Sequence, residues 1–460
     1  MNYNLTISGK DYRVLQDHLY PGDGKEAVAI ALCGRQKSTS QTRLLVHELI
    51  LIPYDQCSVR KPDLIKWSTK IIIPYLEKAS RKGLGILKIH SHPGGLNAFS
   101  ETDDISDKEL FESVYGWMDD DEPHASAIML PDGKIFGRIF HPNLKCENLT
   151  KVNIAGDDLL IWSTNIANGI EEFELRTVQA FGEGTINKLK QLRIAVIGCS
   201  GTGSPLIEQL VRLGVGELLL IDPDIVEHKN LNRIYNSTIE DANLKRFKVD
   251  VLKDAIDRIG LNTNVITYKQ NIYSDKFIIN EIAGCDIIFG CVDSVDGRHL
   301  LNQIATFYLV PYFDLGVKLI SDKKGGIDQI MGTVHYLQPG GSSLRTRGVY
   351  NEEELRAASM FRTNPEYYKE QKKAGYIVDV VVESPAVISI NTQIASMAVN
   401  DFLARIHSYK YDPNSEFAIS RISFTDAYIQ YEVDGEPDPY LSKFIGRGEL
   451  QPLLNMPELN

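Results

Sequence analysis

Apolar positions change their rhythm along the chain. "EAVAIALCG" from Glu26, "RLLVHELILI" from Arg43 and "GLGILKIHSHP" from Gly83 are short runs rich in β-branched residues, and they predict buried strands. "KPDLIKWSTKIIIPYLEKASRKG" opens on a proline and closes at Gly83, which predicts a helix bent or broken at Pro74. "DDISDKELFESVYGWM" predicts a second helix, and "HASAIMLPDGKIFGRIF" a hairpin turning at Asp132-Gly133. Between about His141 and Gly184 the pattern is weak, and only "GIEEFELRTVQAF" fits a helix. From Arg193 the order becomes strand, glycine-rich turn, helix, strand, the signature of a parallel sheet. The expectation is an α/β chain in two parts, 1–150 and 151–460, with a core over about 170–410 in the second part and an extension after it.

The 460 residues leave ample length for two cores. A formal net charge of -12 argues against nucleic acid or an anionic membrane as a general partner. No apolar run reaches the length of a membrane span, and "MNYNLTISGKDYR" lacks the apolar stretch of a signal peptide. Six scattered cysteines without a paired spacing fit a reduced cytoplasm better than a disulfide framework.

Candidate chemistry begins with "KIHSHPGGLNAFSETD". His90 and His92, two apart at a strand end, project from one face, and Asp103 can return from the loop as a third ligand. Two histidines and a carboxylate leave the fourth zinc position open, as hydrolytic rather than structural sites do. Hydrolysis there also needs a general base, which a glutamate on a neighbouring strand can supply.

The stretch resembles the JAMM (MPN-plus, or JAB) metalloprotease signature: His-x-His-Pro, six residues, then Ser-x-x-Asp. The family's upstream glutamate strand, Glu followed eight residues on by Gly, is matched by Glu26 in "EAVAIALCG". The resemblance implies zinc on His90, His92 and Asp103, with Glu26 as proton acceptor and Ser100 helping to hold the tetrahedral oxyanion. It implies cleavage of peptide or isopeptide bonds after the C-terminus of a ubiquitin-like protein.

"RIAVIGCSGTGSPLIEQLVRLGVGELLLIDPD" carries a second centre. Gly198, Gly201 and Gly203 allow a tight turn that brings backbone N–H groups and a helix start to a phosphate, and Asp222 is placed for a ribose hydroxyl. These features alone also suit a nicotinamide dehydrogenase. The following "DPDIVEHKNLNRIYN", however, resembles the Asp-x-Asp-x-Val-x-x-x-Asn-Leu-x-Arg segment of the ThiF/MoeB/ubiquitin-activating superfamily. "FKVDVLKDAIDRIG", "CDIIFGCVDSVDGR" and "ESPAVISINTQIASMAVNDFL" continue the likeness in the family's order, and "ELRTVQAFGEG" precedes it.

That resemblance implies a Rossmann-like adenylating domain behind a JAMM-type mixed α/β domain. It implies ATP with Lys248, Arg233 and Arg176 neutralising the phosphates, Asn230 positioning phosphate or ribose oxygens, and Asp293 holding Mg²⁺. The family arginine matched by Arg176 often comes from the partner subunit, so a homodimer is implied.

Two positions depart from the family. Ser200 replaces the second glycine of the usual Gly-x-Gly-Gly-x-Gly loop. In the crossover loop, "VHYLQPGGSSLRTRG" has serines where thioester-forming members keep a cysteine, and such hydroxyls serve more often as turn-formers than as nucleophiles. Cys199, Cys285 and Cys291 read as small apolar packing groups.

The expected function is therefore bifunctional. A zinc-dependent (iso)peptidase would trim or deconjugate a ubiquitin-like or sulfur-carrier protein, and the second domain would adenylate the exposed C-terminal glycine. The adenylate would pass to a conjugating or sulfur-donor partner, in a cytoplasmic pathway of the kind found in bacterial operons. The alternatives are an enzyme that modifies a peptide C-terminus, with the protease domain processing that peptide, and a scaffold in which neither centre turns over.

Overall fold

The computed structural model describes residues 1–118, 120–165, 169–322, 326–374 and 387–459. Its first part runs β1 (Asn2–Ser8), α1 (Gly9–Leu19), β2 (Val28–Lys37), β3 (Gln41–Leu51), β4 (Cys57–Lys61) and β5 (Leu64–Trp67). There follow α2 (Ile73–Lys82), β6 (Gly85–Ser91), α3 (Glu101–Trp117), β7 (His124–Met129) and β8 (Ile135–Phe140). β9 (Cys146–Asn148), β10 (Lys151–Ala155) and β11 (Leu159–Ser163) complete it. Among the described residues, nine of these strands form one mixed sheet in the order β11-β10-β1-β3-β2-β6-β7-β8-β9. Strands β2 and β6 lie at its centre, buried from end to end save for half-buried Lys37, as strands covered on both faces must be.

The second part comprises α4 (Leu175–Lys190), β12 (Arg193–Ile197), α5 (Gly203–Arg212), β13 (Glu217–Ile221), α6 (Ile239–Asn243) and α7 (Lys248–Ile259). Then come β14 (Asn264–Tyr268), α8 (Lys276–Ala283), β15 (Ile287–Gly290), α9 (Val295–Phe307), β16 (Tyr312–Ser321) and β17 (Ile327–Leu337). α10 (Glu352–Thr363), α11 (Pro365–Lys373), α12 (Ile388–Ile406), β18 (Ile419–Ser423) and β19 (Tyr428–Glu432) follow. The described strands order as β14-β13-β12-β15-β16-β17-β18-β19, parallel from β14 to β16 and antiparallel beyond. This is the Rossmann-like sheet that the strand–turn–helix rhythm predicts, with a β-meander added at one edge.

Three sequence expectations are corrected. The helix expected from Pro62 to Gly83 is a β4–β5 hairpin followed by the short α2. Pro74 breaks nothing, because it sits in the first turn of α2, where no N–H is needed, and Gly83 ends that helix at φ 62. The region of weak pattern holds β10 and β11, and β10 pairs in parallel with β1, so a division at residue 150 cuts through the first sheet. The helix expected in "GIEEFELRTVQAF" begins only at Leu175 and is interrupted at Gly182 (φ 76). The "ESP" that opens the late family segment, Pro385 included, lies outside the described residues.

The two parts meet through buried polar contacts. Arg43, only 2% exposed, donates to the Ala283 and Cys285 carbonyls at 2.7 and 2.9 Å. Lys151 pairs with buried Asp286 at 2.7 Å, and Asn153 donates to the same carboxylate. A C-terminal segment then threads the junction. The Ile445 carbonyl meets His47 Nδ1 at 2.7 Å, Gly448 N donates to the Phe307 carbonyl and Glu449 N to that of Arg35. Gly34 must lack a side chain here, because a Cβ would strike the Gly446 and Arg447 backbone. Gly34→Val should therefore push the segment off β2 at a cost of about 1–3 kcal/mol. The cost would be read as a lower denaturant midpoint and faster proteolysis between residues 434 and 459.

Candidate metal centre and nucleotide pocket

β6 brings His90, and the residue directly after its end brings His92, to one end of the first sheet, where His90 pairs with Val28 at the start of β2. Ser100 caps α3: its hydroxyl accepts from Asp103 N at 3.2 Å, while the Asp103 carboxylate accepts from Ser100 N at 2.8 Å and its hydroxyl at 2.7 Å. The capping box thus holds Asp103 against the histidines. His90 Nε2 lies 3.0 Å from Asp103 Oδ1 and 3.2 Å from His92 Nε2, and His92 Nε2 lies 3.4 Å from Asp103 Oδ2.

These spacings fit zinc. A tetrahedron with bonds of about 2.0–2.1 Å has edges of about 3.3–3.4 Å. A proton on His92 Nδ1, 2.9 Å from the Leu96 carbonyl, leaves Nε2 as the ligand atom. Among the described residues this is the one group of three such side chains close enough to share an ion.

The electrostatics agree with that arrangement. Burial lowers the pKa of His90. Burial also opposes charge on His92, but Asp103 and the Leu96 carbonyl outweigh it and raise its pKa. Asp103 is buried too, yet its two histidine partners hold its carboxyl well below the usual carboxylate range. Glu26, 6% exposed and just ahead of β2, is pushed up to about 7, first by burial and then by the negative charge of Asp103.

Below the centre, Asp107 on α3 binds Lys88 of β6 at 2.6 Å and Arg138 of β8 at 2.8 Å, clamping the helix to the sheet. All three are buried. Asp107→Ala would leave buried Lys88 without a carboxylate and Arg138 with Asp104 alone, and should destabilise the first domain by about 3–5 kcal/mol, measurable by thermal unfolding. Sequence reading missed this clamp, since a Lys and an Arg on separate strands carry no local signal.

In the second domain a cavity of about 830 Å³ opens at the C-terminal ends of the parallel strands. Gly198, Gly201, Asp222, Asn230, Arg233, Lys248 and Asp293 all line it. Gly198 turns at φ 90. Gly203 starts α5 so close to the Gly198 carbonyl that no side chain fits. Lys248 Nζ is held 2.7 Å from Asp224 and 3.6 Å from Asp222. Burial raises the pKa of Asp222, and its two oxygens accept from Cys199 N at 2.7 Å and Asp224 N at 2.9 Å. The residue read as a ribose holder therefore also fixes the glycine loop. Asn230, read as positioning phosphate or ribose oxygens, accepts from Glu227 N at 3.0 Å.

Arg176 is not brought to this cavity. It lies exposed on α4, bonded to Gln179. Asn391, which the sequence reading passed over, and Arg298, carried in the family-like segment "CDIIFGCVDSVDGR", do reach it. Asn391 of α12 lies where a Cβ on Gly201 would stand, and Arg298 on the cavity wall pairs with buried Asp314 at 3.1 Å. Ser342 and Ser343 are buried turn-formers that donate to Asp434 and Asp438 respectively. Burial raises the thiol of Cys199, and pushes those of Cys285 and Cys291 up to about 12. Cys291 nonetheless lines the cavity, which plain apolar packing did not anticipate.

Comparison with known proteins gives two family matches: the ThiF family over residues 174–430, and prokaryotic homologs of the JAB domain over residues 10–134. The chain is 34% identical over 136 residues to the adenylyltransferase and sulfurtransferase UBA4 of Meyerozyma guilliermondii, covering 29% of this chain and 31% of that protein. It is 32% identical over 125 residues to the SAMP-activating enzyme E1 of Haloferax volcanii, covering 27% and 45%. Over 164 residues it is 28% identical to ubiquitin-like modifier-activating enzyme 5 of Aedes aegypti, covering 33% and 38%. The matches thus span from about a third to under half of these relatives' own length. A crystal structure of E. coli MccB with MccA-N7isoASN aligns at a TM-score of 0.45 and 18% identity, over 59% of this chain and 74% of that one.

Proposed function

The chain belongs to the ThiF family and carries a homologue of the JAB domain ahead of its ThiF portion, and from that premise we propose a bifunctional enzyme of a prokaryotic carrier-protein pathway. Its second domain adenylates the C-terminal carboxylate of a ubiquitin-like or sulfur-carrier protein. Its first domain is a zinc peptidase that trims or releases that carrier. The observation carrying this reading is that one chain assembles both a three-ligand zinc geometry beside Glu26 and a cavity joining the glycine loop to Lys248, Arg233 and Asp293.

In the first domain, Glu26 takes the proton from the attacking water, and Ser100 holds Asp103 in place besides its expected part at the oxyanion. Zinc, when bound, supplies Lewis acidity and brings the pKa of water towards about 7. In the second, a carboxylate oxygen of the carrier attacks the α-phosphorus of ATP as the bond to pyrophosphate breaks. Lys248 and Arg233 offset the charge that builds on the phosphate oxygens, and Asp293 is the residue that would hold Mg²⁺. Arg176, remote from its own chain's cavity, would be supplied by a second copy in a homodimer.

The acyl-adenylate then passes to a nucleophile on another molecule, a conjugating partner or a sulfur donor. Support comes from the bonded Ser342 and Ser343 and from thiols that burial keeps protonated. The same feature favours a second reading, activation of a small peptide's C-terminus. No helix among the described residues is long and apolar enough to cross a membrane.

ATP–pyrophosphate exchange separates these readings. Exchange dependent on a folded ubiquitin-like partner supports the first, and exchange with a short peptide alone supports the second. A protein purified without zinc that exchanges with neither is a scaffold, and both readings fall. Chelation should abolish cleavage of an extended carrier, zinc should restore it, and exchange should be untouched by either.

A further inference from the structure

We propose that the two centres of one chain do not hand substrate to one another directly: a carrier trimmed at the metal centre is released from it before its tail enters a nucleotide pocket. This rests on the bifunctional reading above, and concerns the route between its two steps.

The junction lies at the wrong end of both sheets for direct transfer. His90 pairs with Val28 at the start of β2, whereas the second domain begins at the other end of that strand. There Asn280 Nδ2 donates to the Lys37 carbonyl at 2.6 Å, and Lys37 N donates to Glu449 at 2.9 Å. A ten-residue strand spans about 30 Å.

The second domain meets the first through Ala283, Cys285 and Asp286, at the N-terminal ends of its parallel strands. Its cavity is built at their C-terminal ends, around Gly198, Asp222 and Cys291. The five residues of β12 add about 13 Å. Laid end to end, these two strand spans put the centres on the order of 40 Å apart. Extended chain covers at most ~3.3–3.6 Å per residue, so roughly a dozen residues of bare tail would be needed to span the gap.

Among the described residues, the contacts at the junction oppose a shorter path. The junction is pinned by buried Arg43, by the Lys151–Asp286 pair and by the threaded segment over Ile445–Glu449. The cavity between the domains, lined by Arg43, Asn153 and Asp286 among others, holds about 20 Å³, room for about one water and no peptide. Trimming and activation are then consecutive reactions joined through the free carrier pool. Each centre must recognise the carrier for itself, and a tail cut by one molecule can be activated by another.

The carrier that passes the exchange test above serves as the probe. A labelled form extended beyond its terminal glycine is incubated with ATP, the parent protein and a tenfold excess of unlabelled mature carrier. With carrier held well above the KM of activation, early labelled adenylate should fall by at least about tenfold, in line with dilution of label in the pool. A mixture of Glu26→Ala and Asp293→Ala proteins should also activate the extended carrier. Labelled adenylate undiminished by the competitor, or a mixture that fails although each variant keeps its remaining activity, overturns the inference. In either case separate cleavage and exchange by the parent would leave the bifunctional reading standing. If the parent performs neither reaction, the bifunctional reading falls and this inference with it.

Discussion

Glu26→Ala is expected to lower peptide-bond cleavage by about 10²–10⁴-fold while ATP–pyrophosphate exchange continues at the parental rate. Glu26 is the buried carboxylate whose pKa responds to His92 and Asp103, and burial is the main reason it rises to about 7. A group poised there accepts a proton readily at neutral pH and can return it to a leaving amine. Only the deprotonated form can begin the reaction, so cleavage should decline towards acid pH. A bound cation nearby favours the carboxylate, which places the acid limb at or below about pH 7. In Glu26→Ala that limb should vanish from whatever residual rate remains, while zinc content stays at the parental value because Glu26 is no ligand. A variant that loses zinc as well would assign Glu26 to the metal rather than to the proton.

The reciprocal change is Asp293→Ala, with exchange lowered by about 10²–10³-fold and cleavage unaltered. Asp293 stands exposed on the cavity wall beyond β15, opposite the glycine loop that follows β12. Without a carboxylate there, Mg²⁺ loses an oxygen ligand and the triphosphate its geometry. The deficit should shrink as Mg²⁺ is raised, a response that mere loss of folding would not show. If either substitution stopped both reactions in a folded protein, the picture of two independent centres would fail.

Much of each centre was legible because its residues lie close in sequence or at the ends of strands. His90, His92 and Asp103 fall within one loop's reach, and a capping box fixes the last of them. Gly198, Gly201 and Asp222 follow the strand–turn–helix rhythm. What the sequence concealed depends on distant pairing. β10 joins β1 across the whole first domain, and no periodicity announces that register. The β4–β5 hairpin reads as a helix in the sequence because Pro62 suits a first helical turn as well as a tight turn, and both exploit the same fixed φ. Lys88, Asp107 and Arg138 form a clamp only once α3 lies across the sheet. The segment over Ile445–Glu449 has no regular structure to predict, yet it binds the domains together. Arg176 matched a family position, and the single chain leaves it outside the cavity.

The Ser100–Asp103 pair bears on how such motifs are read in other genomes. Their three-residue spacing is also what a helix start demands, so selection for a stable α3 alone would preserve it. A related chain that had lost hydrolysis could keep Ser-x-x-Asp indefinitely, as a fossil maintained by folding. Glu26 and the two histidines are not part of that helix cap. They, and not the better-looking half of the signature, are the positions by which a living peptidase should be told from a retired one.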